Sequence, residues 1–124
     1  MTNHGTPIEW QRSFLSTGAL AVLERGRAHG YAVAQDLQSL GFTHIKGGTL
    51  YPVLNKLEQQ SLVVSDWQEG IGGPGRRVYT LTEEGADRLR EARESWGPFA
   101  TVVMSVLEAG PARIIDTSKE TGTP

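Results

Sequence analysis

The sequence predicts a mainly α fold carrying one small β-hairpin, and three features of the chain lead to that expectation. Three segments of helical hydrophobic spacing precede two short alternating runs, Val63 to Gln68 and Val78 to Leu81. Between those runs lie Gly70-Ile-Gly-Gly-Pro-Gly75 and Arg76-Arg77, the layout of a hairpin with arginines at its tip. A long helical pattern then follows Thr82. Three helices, a hairpin and a further helix form the order of parts in a winged helix-turn-helix (α+β) extended by a long C-terminal dimerisation helix. The expected organisation is a flexible N-terminus over 1–8, a winged helix-turn-helix domain over 9–82, a dimerisation helix over 83–109 and a disordered tail over 110–124.

Trp10, Phe14, Leu15, Ala19, Val22 and Leu23 fit one face of an amphipathic helix from about Glu9 to Arg25, ended by Gly26. A second helix runs from Tyr31 to Leu40, with Tyr31, Ala34 and Leu37 facing inward, and stops at Gly41. Phe42 to Gly47 make the turn. The third helix starts at Gly48 or Thr49, so Pro52 falls in the first turn, where a missing N–H costs nothing. Its apolar stripe is Leu50, Val53, Leu54 and Leu57. Val63, Ser65 and Trp67 alternate with Val64, Asp66 and Gln68 as a half-buried strand, and the partner strand places Tyr79 and Leu81 on one face. Thr82 caps the last helix, and Glu83 and Glu84 in its first turn match the positive end of the helix dipole. Gly97-Pro98 predicts a kink or break in that helix, since an internal proline costs roughly 3 kcal/mol.

A length of 124 residues sets the limit at one domain plus an appendage. Without cysteine, neither disulfides nor thiolate metal sites are possible. No apolar run approaches the ~18 residues of a membrane span, and no basic-then-apolar signal peptide opens the chain, so a cytoplasmic protein with no membrane partner is expected. The net charge of −2 and pI near 5.9 weigh against a nucleic-acid partner. Residues 1–85 hold 7 Lys/Arg against 8 Asp/Glu, and residues 86–124 hold 5 against 6, so neither half is basic. A DNA-binding surface must therefore come from local arrangement.

Enzymatic function has no support. Gly70-x-Gly72-x-x-Gly75 formally matches a dinucleotide fingerprint, but Pro74 and the β-type run after Arg77 close a hairpin where that motif needs a helix. His4, His29 and His44 share no ligand spacing, and no Ser/His/acid set shares a scaffold. Neither metal nor cofactor is expected.

The candidate DNA-binding residues are Lys46, Thr49, Tyr51, Pro52, Asn55 and Lys56 around the third helix, with Arg76 and Arg77 on the wing. On its own the polar helix face would be solvated surface. The preceding helix and the basic hairpin turn it toward a double-stranded operator, with the wing suited to the minor groove or phosphates. In the last helix Leu89, Ala92, Trp96, Phe99, Val103 and Val106 are spaced 3, 4, 3, 4, 3, an a/d seam expected to pair two subunits. Trp96 beside Ala92 and Gly97 leaves unfilled volume, so Trp96, Phe99, Ala92 and Val103, completed by Trp10 and Phe14, are candidates to hold a planar aromatic effector. A tryptophan that merely fills the dimer core is the simpler alternative.

His29-Gly30-Tyr31, Gly48-Thr49-Leu50-Tyr51-Pro52, Leu57-Glu58 and Tyr79-Thr80-Leu81-Thr82-Glu83-Glu84-Gly85 together resemble the PadR family of bacterial transcriptional regulators. The match spans roughly Phe14 to Leu107, and the short chain resembles the smaller subfamily. Glu94-Ser95-Trp96 is similar to the segment carrying the central tryptophan of its lactococcal multidrug-resistance regulator. The resemblance implies a winged-helix homodimer, usually a repressor, in some members responsive to flat aromatic drugs. The expected function is sequence-specific, ligand-responsive repression at a pseudo-palindromic operator. The acidic pI favours one alternative, a dimeric winged-helix protein-interaction module that does not bind DNA.

Overall fold

The computed structural model describes residues 6–70 and 72–111, and expectations for His4, the extreme N-terminus and the tail from 112 onward lie outside them. Its elements are α1 (Ile8–Glu24), β1 (Ala28–His29), α2 (Gly30–Ser39), α3 (Gly47–Gln59), β2 (Val63–Gly70), β3 (Gly73–Leu81) and α4 (Glu83–Glu108). The fold is the expected mainly α architecture, with one addition. The two-residue β1 joins the hairpin to make a three-stranded antiparallel sheet in the order β1-β3-β2.

The core forms where three helical stripes meet over the base of the sheet. Leu15, Ala19 and Leu23 of α1, Val33 and Leu37 of α2, and Leu50, Leu54 and Leu57 of α3 pack with Tyr79 of β3. Tyr31 is not part of it. The side chain is 65% exposed, and Val33 takes the inward position. The helix begins at Gly30, and at about 100° per residue Val33, Ala34 and Leu37 share a face that Tyr31 misses.

The C-termini of α2 and α3 close with the same hydrogen-bond pair. Phe42 N–H donates to Leu37 O and Gly41 N–H to Gln38 O after α2, and Leu62 N–H donates to Leu57 O and Ser61 N–H to Glu58 O after α3. These are Schellman closures, which need a left-handed residue just past the helix. At α3 that residue is Ser61, with φ 63°. The turn itself is stapled to α1 by Gln11, only 3% exposed. Its amide donates to Thr6 O (3.0 Å) and Thr43 Oγ1 (3.2 Å) and accepts from Thr43 N–H (2.7 Å). A buried amide is tolerated because its hydrogen bonds are made.

Three further expectations require correction here. The third helix starts at Gly47, so Pro52 lies in the second turn and its ring removes the bond that would reach Gly48 O. Gly48 is exposed, leaving that carbonyl open to water. Of the kink or break expected at Gly97-Pro98, the break does not occur, for α4 continues as one element to Glu108. Only the bond to Glu94 O is forfeited there, and Glu94 is solvent-exposed. Third, Leu89 is 1% exposed inside the domain's own core, so it is not available to a seam between subunits. Thr82 does cap α4, accepting from Gly85 N–H through Oγ1 (3.0 Å).

The chain divides into two compact units, one ending at Ala92 and one beginning at Arg93. Among the described residues no helix is long and apolar enough to cross a membrane.

Candidate nucleic-acid interface

α3 presents its residues in three lines set by the pitch of the helix. Leu50, Leu54 and Leu57 point into the core. At about 100° per residue, Gly48, Pro52, Asn55 and Gln59 lie within about 50° of the opposite direction, the outermost line. All four are exposed. Lys56 and Thr49 fall on one flank and Tyr51 on the other. Thr49 is half-buried, and with Arg12, Leu15, Gly48 and Val53 it lines a cavity of about 310 Å³ against α1. Gln59, which the sequence also sets on the polar face of this helix, shares the outer line with Asn55.

Tyr51 is held rather than free. Its ring lies over the first residue of α2 so closely that a Cβ on Gly30 would come 2.7 Å from Tyr51 Cε1. A Cβ on Gly47 would come 3.0 Å from Cε2. The glycine of His29-Gly30-Tyr31 and the tyrosine of Gly48-Thr49-Leu50-Tyr51-Pro52 therefore form one contact, α2 against α3. The side chain remains 45% exposed and closes a cavity of about 250 Å³ with Tyr31, Ala34, Ile45 and Lys46.

Arg76 and Arg77 are not at the tip of the wing. Arg77 pairs with Trp67 and Arg76 with Gln68 within the ladder, and the chain reverses between Gly70 and Gly73. The register shifts only beyond them, between Gln68 and Gly70, so both arginines sit in regular ladder short of the tip. Being adjacent on a strand, the two project to opposite faces, and each face supplies an anchor. Arg77 Nη1 donates to Ser65 Oγ (2.9 Å), whose hydroxyl donates to Glu58 Oε2 of α3 (2.7 Å). On the other face Arg76 Nη1 lies 2.6 Å from His29 Nε2. His29 Nδ1 in turn faces Ala32 N–H at 3.2 Å as the N-cap of α2. The wing is thus tied through its arginines to both helices of the helix-turn-helix. Burial lowers the His29 pKa from its ordinary value, and the Arg76 guanidinium lowers it further. On the opposite face burial raises that of the Tyr79 phenol, and the Glu58 carboxylate adds to it.

Ser65, His29 and Glu58 are not among the candidate DNA-binding residues, although His29 and Glu58 belong to the motifs that carry the family resemblance. Their link to the arginines has no sequence signal until the ladder register is known. Lys46 and Lys56 stand exposed at the two ends of the α3 face. Among the described residues no cluster of His, Asp or Glu could hold a metal ion.

In the C-terminal unit, Trp96 and Phe99 meet edge to face at 5.6 Å and with Ser95 line a shallow cavity of about 150 Å³. Phe99, Val103 and Val106 form an exposed apolar strip, with Val106 70% exposed. In the winged domain Trp10 is exposed, while Phe14 stacks on Phe42 at 5.6 Å.

Residues 19–91 match the model of the transcriptional regulator PadR-like family. The transcriptional regulator Rv3488 of Mycobacterium tuberculosis is 34% identical over 96 residues, covering 77% of this chain and 88% of that protein. The crystal structure of a PadR family transcriptional regulator from Eggerthella lenta superposes with a TM-score of 0.72 at 37% identity, over 82% of this chain and 88% of that one. A PadR-like regulator from Bacillus cereus gives a TM-score of 0.70 at 27% identity, over 81% and 97% of the two chains. These relatives are transcriptional regulators rather than enzymes, and on the extent of the family match the chain belongs to the PadR-like family of transcriptional regulators.

Proposed function

We propose that this regulator is a repressor that binds a pseudo-palindromic operator as a homodimer. α3 enters the major groove, and Arg76 and Arg77 engage the flanking backbone or minor groove. The observation that carries this is the outer line of α3, where exposed hydrogen-bonding groups of Asn55 and Gln59 stand beside Lys56 and opposite a fully committed apolar stripe. Amide side chains read adenine edges in the major groove, and lysines neutralise phosphates. The anchored wing arginines support the same reading. Ordering a long cation beforehand lowers the entropy cost of each DNA contact.

The exposed strip of Phe99, Val103 and Val106 supports pairing through the C-terminal helix, which would set two recognition helices about one DNA turn apart, roughly 34 Å. The Trp96–Phe99 pair and its cavity support a planar aromatic effector, stacked on the indole, that acts by preferring one separation of the two wings.

The contrast between Lys56→Ala and Asn55→Ala tests the DNA reading. The lysine change should weaken all sequences alike and lower the salt slope by about 1. The asparagine change should cost on the order of 1–3 kcal/mol at one base position. If both leave affinity unchanged, the face is ordinary solvated surface and the acidic interaction module becomes the better account.

A further inference from the structure

His29 sits where three parts of the domain meet, and its two ring nitrogens ask for the same thing. Nδ1 faces Ala32 N–H at 3.2 Å, and Nε2 faces the Arg76 guanidinium at 2.6 Å. Both partners are donors, so both nitrogens are placed to accept. A neutral imidazole has one lone pair to offer in the ring plane, and a protonated one has none. The neutral ring therefore serves either Arg76 or the helix cap, whereas the imidazolium serves neither and repels the guanidinium.

The surroundings oppose that proton. β3 contributes Arg76, and the N-terminus of α2 contributes the positive end of its dipole. The ring of Tyr31 stacks over the imidazole at 6.3 Å and 9°. Asp66 of β2 is the nearest acid by register, on the same sheet face beyond Val78, since His29 and Asp66 both pair with that residue. The His29 pKa is lowered by burial first and by Arg76 second.

We propose that His29 is a positioning residue for the wing: its unprotonated ring holds the Arg76 guanidinium in place, so operator affinity falls as that ring takes up a proton. This rests on the DNA-binding reading above and adds to it a residue outside the contact surface and a sign. The sign is opposite to that of ordinary electrostatics, in which a histidine beside a polyanion strengthens binding when it becomes positive. Loss of the Arg76 contact should weaken binding by roughly three- to tenfold, the range of one hydrogen bond.

Two replacements separate the ring's functions. In His29→Gln the amide oxygen reaches toward the Nε2 position and cannot titrate. In His29→Asn the side chain remains a favoured N-cap for α2 but is too short to reach Arg76. The full-length chain is titrated against a fluorescent duplex carrying the DNA upstream of its own gene, at pH values of about 7.5 and about 5.5, which bracket the histidine range. Subtracting the His29→Gln response removes the contribution of His44 and of any other histidine. The expected result is that wild type loses affinity in acid relative to His29→Gln. His29→Asn should bind weakly at both pH values and cost nothing further once Arg76→Ala is present.

A gain of affinity in acid relative to His29→Gln overturns the proposal. So does an equal effect of His29→Asn with and without Arg76. Absence of binding by any variant instead overturns the DNA reading on which the proposal depends. The His29–Arg76 contact is still decided without DNA, because the His29 ring, followed by NMR, should titrate at a higher pH in Arg76→Ala than in wild type. No difference would overturn the contact itself.

Discussion

Replacing Gly30 with alanine should destabilise the domain, and removing Tyr51 should reverse the sign of that effect. The new Cβ would stand 2.7 Å from Tyr51 Cε1, about 0.7 Å inside an ordinary contact of ~3.4 Å. Gly47 flanks the ring's other edge, so the open route for the ring is outward into solvent. With the side chain 45% exposed, complete lifting re-exposes about 100 Å², a ceiling of about 2.5 kcal/mol at ~25 cal/mol per Å². Alanine at the first position of α2 returns roughly 0.5–1 kcal/mol through backbone entropy. The net expectation is a loss of about 1–2 kcal/mol for Gly30→Ala. In a Tyr51→Ala background the clash is gone, and the same substitution should instead be neutral or stabilising. Urea unfolding of the four proteins, read as midpoints at constant slope, closes the cycle. Equal effects of Gly30→Ala in both backgrounds would refute the contact between α2 and α3.

Gln11→Leu should cost on the order of 1–3 kcal/mol despite its greater hydrophobicity, because Thr43 N–H loses its partner. A thermal midpoint at or above wild type would contradict the staple. Ser61→Gly should raise stability by roughly 0.5–1 kcal/mol, since φ 63° suits glycine, and an unchanged midpoint would show that Ser61 bears no strain. His29 titrates lower in the folded domain than its ordinary value of 6.5. The unfolded chain therefore takes up the proton first, and stability is full above that value and falls as pH drops through it toward the folded pKa. His29→Gln should flatten this part of a urea-midpoint profile, and an unaltered slope would assign the effect to other groups.

How much of this was legible in the sequence depended on whether a residue's pattern is local. The stripe of Leu50, Leu54 and Leu57 and the Thr82 cap before Glu83 and Glu84 are local, and spacing reveals the one as residue type reveals the other. Gln11 was not, because a glutamine in a helix looks like surface until the turn that it staples is in place. Leu89 and Trp96 share one heptad pattern, and spacing cannot distinguish a residue filling its own domain from one awaiting a partner. The place of Arg76 and Arg77 in the ladder is not legible, because composition does not say how far strand pairing continues toward the glycines. Pro98 does not break α4. One lost bond at an exposed turn is small against a helix of 26 residues.

The central claim is that the outer face of α3 and the anchored wing read a DNA sequence as a dimer. Fluorescence anisotropy with the upstream duplex and with a shuffled duplex of equal composition, each at several salt concentrations, tests it most directly. The expected result is two chains per upstream duplex and a preference of at least about 10³ over the shuffled one at physiological salt. The salt slope of wild type should exceed that of Lys56→Ala by about 1. Equal affinity for the two duplexes, or none for either at low salt, would contradict the account.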